Sequence, residues 1–355
     1  IILLFLCCCK KEQKPTPDYQ KERAALLENL SKKYISPELS TFKTKTASLV
    51  LACNYFIVQP NEITLGKLQQ ACDESYMQYL KLDAFRFGPF KEPAFQLTLY
   101  DYIATMPCNA DFVERKIESR TFNTVDYHYS TRGFSTLDYL LFDRTDRQDT
   151  IVQKYLDDNR LYYLRRNCIY IDSMAGVFQK RWDIERATFS DDASLSVASD
   201  FTQFYNAFLQ SLEFATDAKL RIPAGLSIKN IGVMEPHSVE FYYAGASKKY
   251  LMQHVTALED IWLGRTATTT AFGINYLVAA QTQDLTLLND INMSFSAAKA
   301  AIQELPEEGL DYAIMQGSEK IGPVHDAMST LIKYFKVDLP SRIGVPITFS
   351  SGDGD

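Results

Sequence analysis

The chain of 355 residues carries 37 Lys and Arg against 44 Asp and Glu, a formal net charge of −7, and is 46% hydrophobic with 13% aromatic residues. That much apolar surface sustains a packed core and confines disorder to the ends, and the absence of any long basic run excludes the clustered Lys and Arg of a nucleic-acid footprint. The length exceeds the usual size of one compact core, which favours two domains of about 150 residues each over a single large helical one.

In chain order, Ile1 to Leu6 form an apolar run that stops at Cys7-Cys8-Cys9 and gives way to a polar stretch through Pro17. This reads as the tail of a secretory signal. A bacterial lipoprotein signal needs Leu at −3, small residues before the cut and Cys at +1, because the thiol receives diacylglycerol before cleavage. Leu6-Cys7-Cys8-Cys9 fits that frame. Cys9 is the expected lipidated residue, although three adjacent cysteines leave the register open. Six apolar residues are too few for a bilayer crossing, which needs about 20. The expectation is a protein of the cell envelope, tethered through residues 10–18 and held by acyl chains to a bacterial membrane, the outer membrane in preference. Cys53, Cys72, Cys108 and Cys168 are far apart, with no CxxC pair, and read as free thiols.

From residue 18 onward helical periodicity dominates. Residues 18–35, 41–58 and 62–86 place apolar faces opposite charged ones, and Phe87-Gly88-Pro89 stops the third segment. Leu97 to Ile103 could pass for a strand, but nothing nearby alternates to pair with it. A short helix comes after Gly133, with Phe134, Leu137 and Leu141 on one stripe, and a long one covers about 147–185. Ser190-Asp191-Asp192 marks a break before a second set near 193–216, 246–263, 282–304 and 317–336, with a loop over 217–236. The predicted fold is all-α: two helical-bundle domains related by duplication, 19–187 and 188–355, after a signal remnant over 1–9.

Motifs that carry chemistry are scarce. There is no HExxH, EF-hand loop, G-x-S-x-G, G-x-G-x-x-G or P-loop, and only four histidines in the chain. His128, His254 and His325 stand alone, each lacking the local carboxylate-and-histidine partner of a metal site. His237 and Glu240 have the spacing that puts two metal ligands on one helical face, although a surface histidine beside a structural glutamate gives the same spacing. In Ser130 to Asp143, Arg132, Ser135 and Asp138 recur every third residue, a polar strip beside the apolar stripe. Such a strip lines a pocket, or it is a buried Arg132–Asp138 salt bridge.

Several landmarks together resemble the imelysin-like family: Phe87-Gly88-Pro89; Asp101-Tyr102-Ile103 through Pro107; Gly133 with Leu140-Leu141-Phe142, as in the signature G-x-H-x-x-E followed by an apolar run; Trp182; Ile222-Pro223 with Gly225; Glu240-Phe241-Tyr242-Tyr243 and Ser247; and the closing Asp353-Gly354-Asp355. The order matches over nearly the whole chain. The departures are Ser135 at the motif histidine, Asp138 at the motif glutamate and Ala244 at the serine after the motif tyrosine. Loss of the histidine removes the strongest metal ligand. The resemblance implies duplicated helical bundles, export as a lipoprotein, a pocket where the two signature blocks meet, and either a metallopeptidase activity or a role in iron acquisition. The expectation drawn from all this is a non-catalytic binding protein for iron or an iron complex, with the metallopeptidase and a binding module for another small ligand or envelope partner as alternatives. An outer-membrane receptor is the expected protein partner. Its ligand site is expected at Arg132, Ser135, Asp138, Glu240, Tyr243 and Ser247, with His237 and Glu240 as the metal ligands if iron binds directly.

Overall fold

The computed structural model describes residues 18–349, except 93, 95, 125–126, 145–146, 267–271 and 283–284. Cys9 and the closing Asp353-Gly354-Asp355 lie outside the described residues. Among those described, the chain is helical, with one isolated antiparallel bridge between Lys91 and Thr98 and no sheet. No described helix is long and apolar enough to cross a membrane.

The first half holds α1 (Gln20–Asn29), α2 (Ser36–Val58), α3 (Glu62–Leu80), α4 (Leu99–Ile103), α5 (Ala110–Glu118), α6 (Phe134–Leu141), α7 (Gln148–Gln153) and α8 (Asp158–Glu185). The second holds α9 (Asp200–Thr216), α10 (Ser247–Leu263), α11 (Ile274–Thr282), α12 (Leu285–Gln303), α13 (Leu310–Met315), α14 (Ile321–Lys333) and α15 (Leu339–Ile343). A wider, π-type turn at Leu30–Ile35 joins α1 to α2 without a break, so the expected interruption before residue 41 is absent. Pro37 is tolerated because it stands at the start of a new α-segment, and the Ser36 hydroxyl donates to the Ser31 carbonyl at 2.8 Å. Leu97 to Ile103 does not become a strand: Thr98 and Asp101 form a reciprocal cap that starts α4 instead. The expected helix over 147–185 is broken at Asp157, whose side chain caps α8 by accepting from Asn159.

Core packing explains two of the landmarks. α2 packs on α3 and α8, and α3 meets α10 of the second half. α3 ends at Leu80, short of the expected stop at Phe87-Gly88-Pro89, and after a run of turns Phe87 stacks on Phe189 at 5.6 Å and Phe90 on Trp182 at 5.4 Å. The indole N–H of Trp182 donates to Ser36 Oγ at 2.8 Å, which closes the sandwich between α2 and α8. The buried apolar residues of both halves, Leu26 through Val345, form one continuous cluster. Cys53, Cys72 and Cys168 are buried free thiols within it.

Candidate functional site

Gly133 sets the geometry of the first signature block. Its φ of +86° and a Cβ position only 2.3 Å from the Ile103 carbonyl oxygen exclude any side chain there. Asn167 of α8 holds both its polar groups: Oδ1 accepts from the Gly133 N–H at 2.7 Å and Nδ2 donates to the Gly133 carbonyl at 3.0 Å. The chain therefore turns sharply between Arg132, which is extended, and Phe134, where α6 begins. The expected helical strip Arg132-Ser135-Asp138 is not formed. Arg132 lies over Tyr129 and Tyr170 at 4.7 and 5.4 Å and donates to the Asn123 carbonyl. Asp138 takes its donors from elsewhere.

Those donors are the backbone N–H groups of Tyr243, to Oδ2 at 3.0 Å, and Ala244, to Oδ1 at 2.8 Å. The first signature block thus grips the second by its main chain. Burial pushes the Asp138 carboxyl up to about 7, against the opposing pull of the two backbone N–H groups and of Arg144. Arg144 completes the clamp, donating to the Tyr242 carbonyl at 3.2 Å and pairing with buried Asp311 at 2.5 Å. Because the folded carboxyl keeps its proton up to about pH 7 while an unfolded Asp releases it near 4, the native state binds the extra proton in between. The stability contributed by this group is present at the acid end and falls as pH rises through that window. The melting temperature of the wild type minus that of Asp138→Asn is expected to decrease from pH 5 to pH 8; a flat or rising difference would contradict the assignment.

Ser135, Asp138 and Tyr243 do come together, lining a cleft of about 510 Å³ with Cys108, Met234 and His237. Ser135 Oγ donates to the Thr105 carbonyl at 2.6 Å, and Tyr243 packs edge-on against Tyr139. The Cys108 thiol is pushed up to about 12 by burial and so does not offer a thiolate. Phe241 in the same loop has φ +49°, a left-handed conformation held by packing against Tyr76 and Tyr250 at 4.4 and 4.6 Å.

The remaining expected site residues are placed elsewhere. His237 is exposed in a short 3₁₀ turn, and Val239 is extended, so His237 and Glu240 do not share a helical face. Glu240 is buried, 2.6 Å from Lys219 and accepting from the Tyr76 hydroxyl. The two do not fit a metal as a pair, and no group of three or more His, Cys, Asp or Glu among the described residues could hold one. Ser247 Oγ accepts from the Leu310 N–H at 2.8 Å at the start of α13.

Sequence reasoning missed a buried polar core at the junction of the halves. Asp83 accepts from Tyr79, from Arg86 at 2.6 Å and from Ser211 at 2.7 Å, and His254 Nε2 lies 2.7 Å from Ser211 Oγ. Burial alone would raise the Asp83 carboxyl, but the Arg86 guanidinium, with Lys219 adding to it, holds it well below the carboxylate range. Burial and Lys219 lower His254, which is therefore neutral. With Ser211 donating to Asp83, the network assigns the proton to Nε2 of His254, which donates to the serine oxygen. A catalytic base would accept from that serine, so this Ser/His/Asp cluster is a structural network, and His254 is wholly buried.

The model of the family described as Imelysin matches residues 35–331. Two solved structures share the fold. An iron-regulated protein A precursor from Parabacteroides distasonis superposes with a TM-score of 0.76 at 16% identity, covering 93% of this chain and 97% of the other. An imelysin-like protein from Psychrobacter arcticum gives 0.74 at 14% identity, covering 94% and 99%. No curated protein matches by sequence. With the family's sequence pattern running from α2 into α14 and its fold matched from end to end, the chain belongs to the imelysin family.

Proposed function

We propose that this protein is a ligand-binding member of the imelysin family that works in the bacterial cell envelope and takes an iron complex, rather than a bare metal ion, into the cleft beside Ser135 and Asp138, with no chemistry of its own. The observation that carries the reading is the donor set of that cleft. The Asp138 carboxyl is spoken for by two backbone N–H groups and the Cys108 thiol keeps its proton, which leaves only His237 and the exposed Glu235 as accessible ligands among the lining residues. That is too few for direct coordination, yet the cleft has the size and the mix of aromatic and polar lining that suit a small chelate. The similar protein from Parabacteroides is described as iron-regulated, which supports iron as the cargo. A lipid on Cys9 and an outer-membrane receptor as partner belong to the same proposal and rest on Leu6-Cys7-Cys8-Cys9. A peptidase reading has less support, since neither a metal cluster nor an activated nucleophile can be assembled among the described residues.

The test is thermal denaturation of the purified protein with ferric citrate, haemin, anaerobic Fe²⁺ and Zn²⁺. At least one chelate is expected to raise the melting temperature by about 3 °C or more near saturation, and Met234→Arg, at an exposed position on the cleft wall, to abolish the rise. No shift with either chelate, or a larger shift with a bare ion, would overturn the proposal.

A further inference from the structure

The loop between α9 and α10 serves a second cleft, of about 530 Å³, through its earlier residues. The walls are Phe214 of α9, Ile222 and Ile228 of the loop, Ile332 of α14 and Phe349 near the C-terminus, an apolar lining into which five charged side chains reach. Four of these are matched. Arg86 pairs with Asp83 at 2.6 Å and is sandwiched between Tyr100 and Phe214, each ring 4.3 Å away. Glu213 pairs with Lys336 at 3.1 Å, and Asp217 with Lys229 at 3.2 Å.

Arg221 is the exception. Its Nη2 donates to Ser329 Oγ at 2.9 Å, but its Nε–H is buried without an acceptor, and among the described residues no carboxylate lies within ion-pair distance. A guanidinium left in this state at an apolar wall favours any oxyanion that reaches it, because a desolvated donor without a partner is costly and a charge-assisted hydrogen bond is strong. Glu213 and Asp217 line the same cleft, and although each is paired with a lysine, a doubly charged group such as a phosphate monoester meets more repulsion from them than a carboxylate does.

The loop supplies the second observation. Leu226, Ile228, Ile231 and Val233 are 43, 56, 72 and 59% exposed, more apolar surface than a loop in water ordinarily shows. They are not exposed because the loop is slack. Gly232 N–H donates to the Gly225 carbonyl at 2.8 Å, Glu235 N–H to the Pro223 carbonyl at 2.9 Å, and Asn230 Nδ2 to the Ile222 carbonyl at 2.8 Å. A closed loop thus holds its apolar side chains outward, with Ile228 at the cleft.

We infer that this second cleft binds a single-chain amphiphile with a carboxylate head, the carboxylate on Arg221 and the alkyl chain along Phe214 and Ile222 towards Ile228. The site is separate from the cleft beside Asp138 and does not depend on the reading proposed for it. The test is isothermal titration of the purified protein with decanoate below its micelle-forming concentration, with decanol, hexanoate and decyltrimethylammonium as probes of head and tail. Decanoate is expected to bind at least about tenfold tighter than each of the three, and Arg221→Gln to weaken it at least about tenfold, or 1.4 kcal/mol. Ile228→Asp, at an exposed loop position, is expected to abolish binding without moving the melting temperature. Decanol binding as tightly as decanoate would overturn the inference, as would a folded Arg221→Gln or Ile228→Asp protein with wild-type affinity. Should Arg221→Gln fail to fold, Ile228→Asp and the decanol comparison decide.

Discussion

Lys219→Met and Glu240→Leu are each expected to destabilise the protein by about 3–5 kcal/mol, and the double variant by much less than the sum of the two. The pair is buried at both ends, 3% exposed on either side, with 2.6 Å between Nζ and Oε1. Removing either partner leaves a charge in a setting that water does not reach, beside neutral His254 and the Tyr76 hydroxyl, which burial and Glu240 together raise well above its usual range. Removing both replaces two desolvated ions with apolar atoms that the surrounding aromatic rings can pack against. Chemical denaturation of the four proteins measures the coupling directly. Additive losses would show that Lys219 and Glu240 act independently, and a small loss in either single variant would mean that water reaches the pair. The same cycle explains why Glu240 is unsuited to binding a ligand: its charge is already used to fasten α3, the turn after α9 and the loop before α10 to one another.

Gly133→Ala is expected to cost about 4 kcal/mol or more, with a fall in melting temperature of roughly 5 °C or more. Two penalties combine. A φ of +86° is strained for any residue with a Cβ, and that Cβ would stand 2.3 Å from the carbonyl oxygen and 2.5 Å from the carbonyl carbon of Ile103. Backbone cannot yield as a flexible side chain can, so α4 or α6 has to move. Movement of α6 would pull Asp138 from the N–H groups of Tyr243 and Ala244, which lower its carboxyl against burial, so the variant is also expected to change the pH dependence that Asp138 confers. Urea denaturation and a pH series of melting curves check both parts. A variant within 1 kcal/mol of wild type would show that the two helices separate without cost, contrary to the packing described.

Much of the helical architecture was legible because periodicity reports which face of a segment is apolar. The extents of α2 and α10 fall close to the expected segments, but α3 ends at Leu80 rather than at Phe87-Gly88-Pro89, and helical turns continue past Thr216 to Arg221. The family landmarks carried further still, since their order along the chain depends on no knowledge of contacts. The second block illustrates the limit. The spacing of His237 and Glu240 is compatible with one helical face, but the local backbone is a 3₁₀ turn followed by an extended residue, and the two side chains part. Arg132 parts from Ser135 and Asp138 for a related reason, as the left-handed Gly133 ends the helical phase between them.

By itself, then, the sequence determined the all-α class, the family and the approximate extents of most of the longer helices. Each of these comes from local propensity, apolar periodicity or motif order, all of which are written along the chain. Only the tertiary structure decided which polar groups meet. Asp83 and Ser211 are 128 residues apart, Asp138 and Tyr243 105, and Tyr76 and Glu240 164. Such pairs depend on how helices cross and on where an irregular loop turns. An amphipathic face states only that a segment must be covered, and any apolar face of the right size satisfies it; a buried carboxylate accepts only a donor placed within about 3 Å, and that placement exists only once the helices have packed.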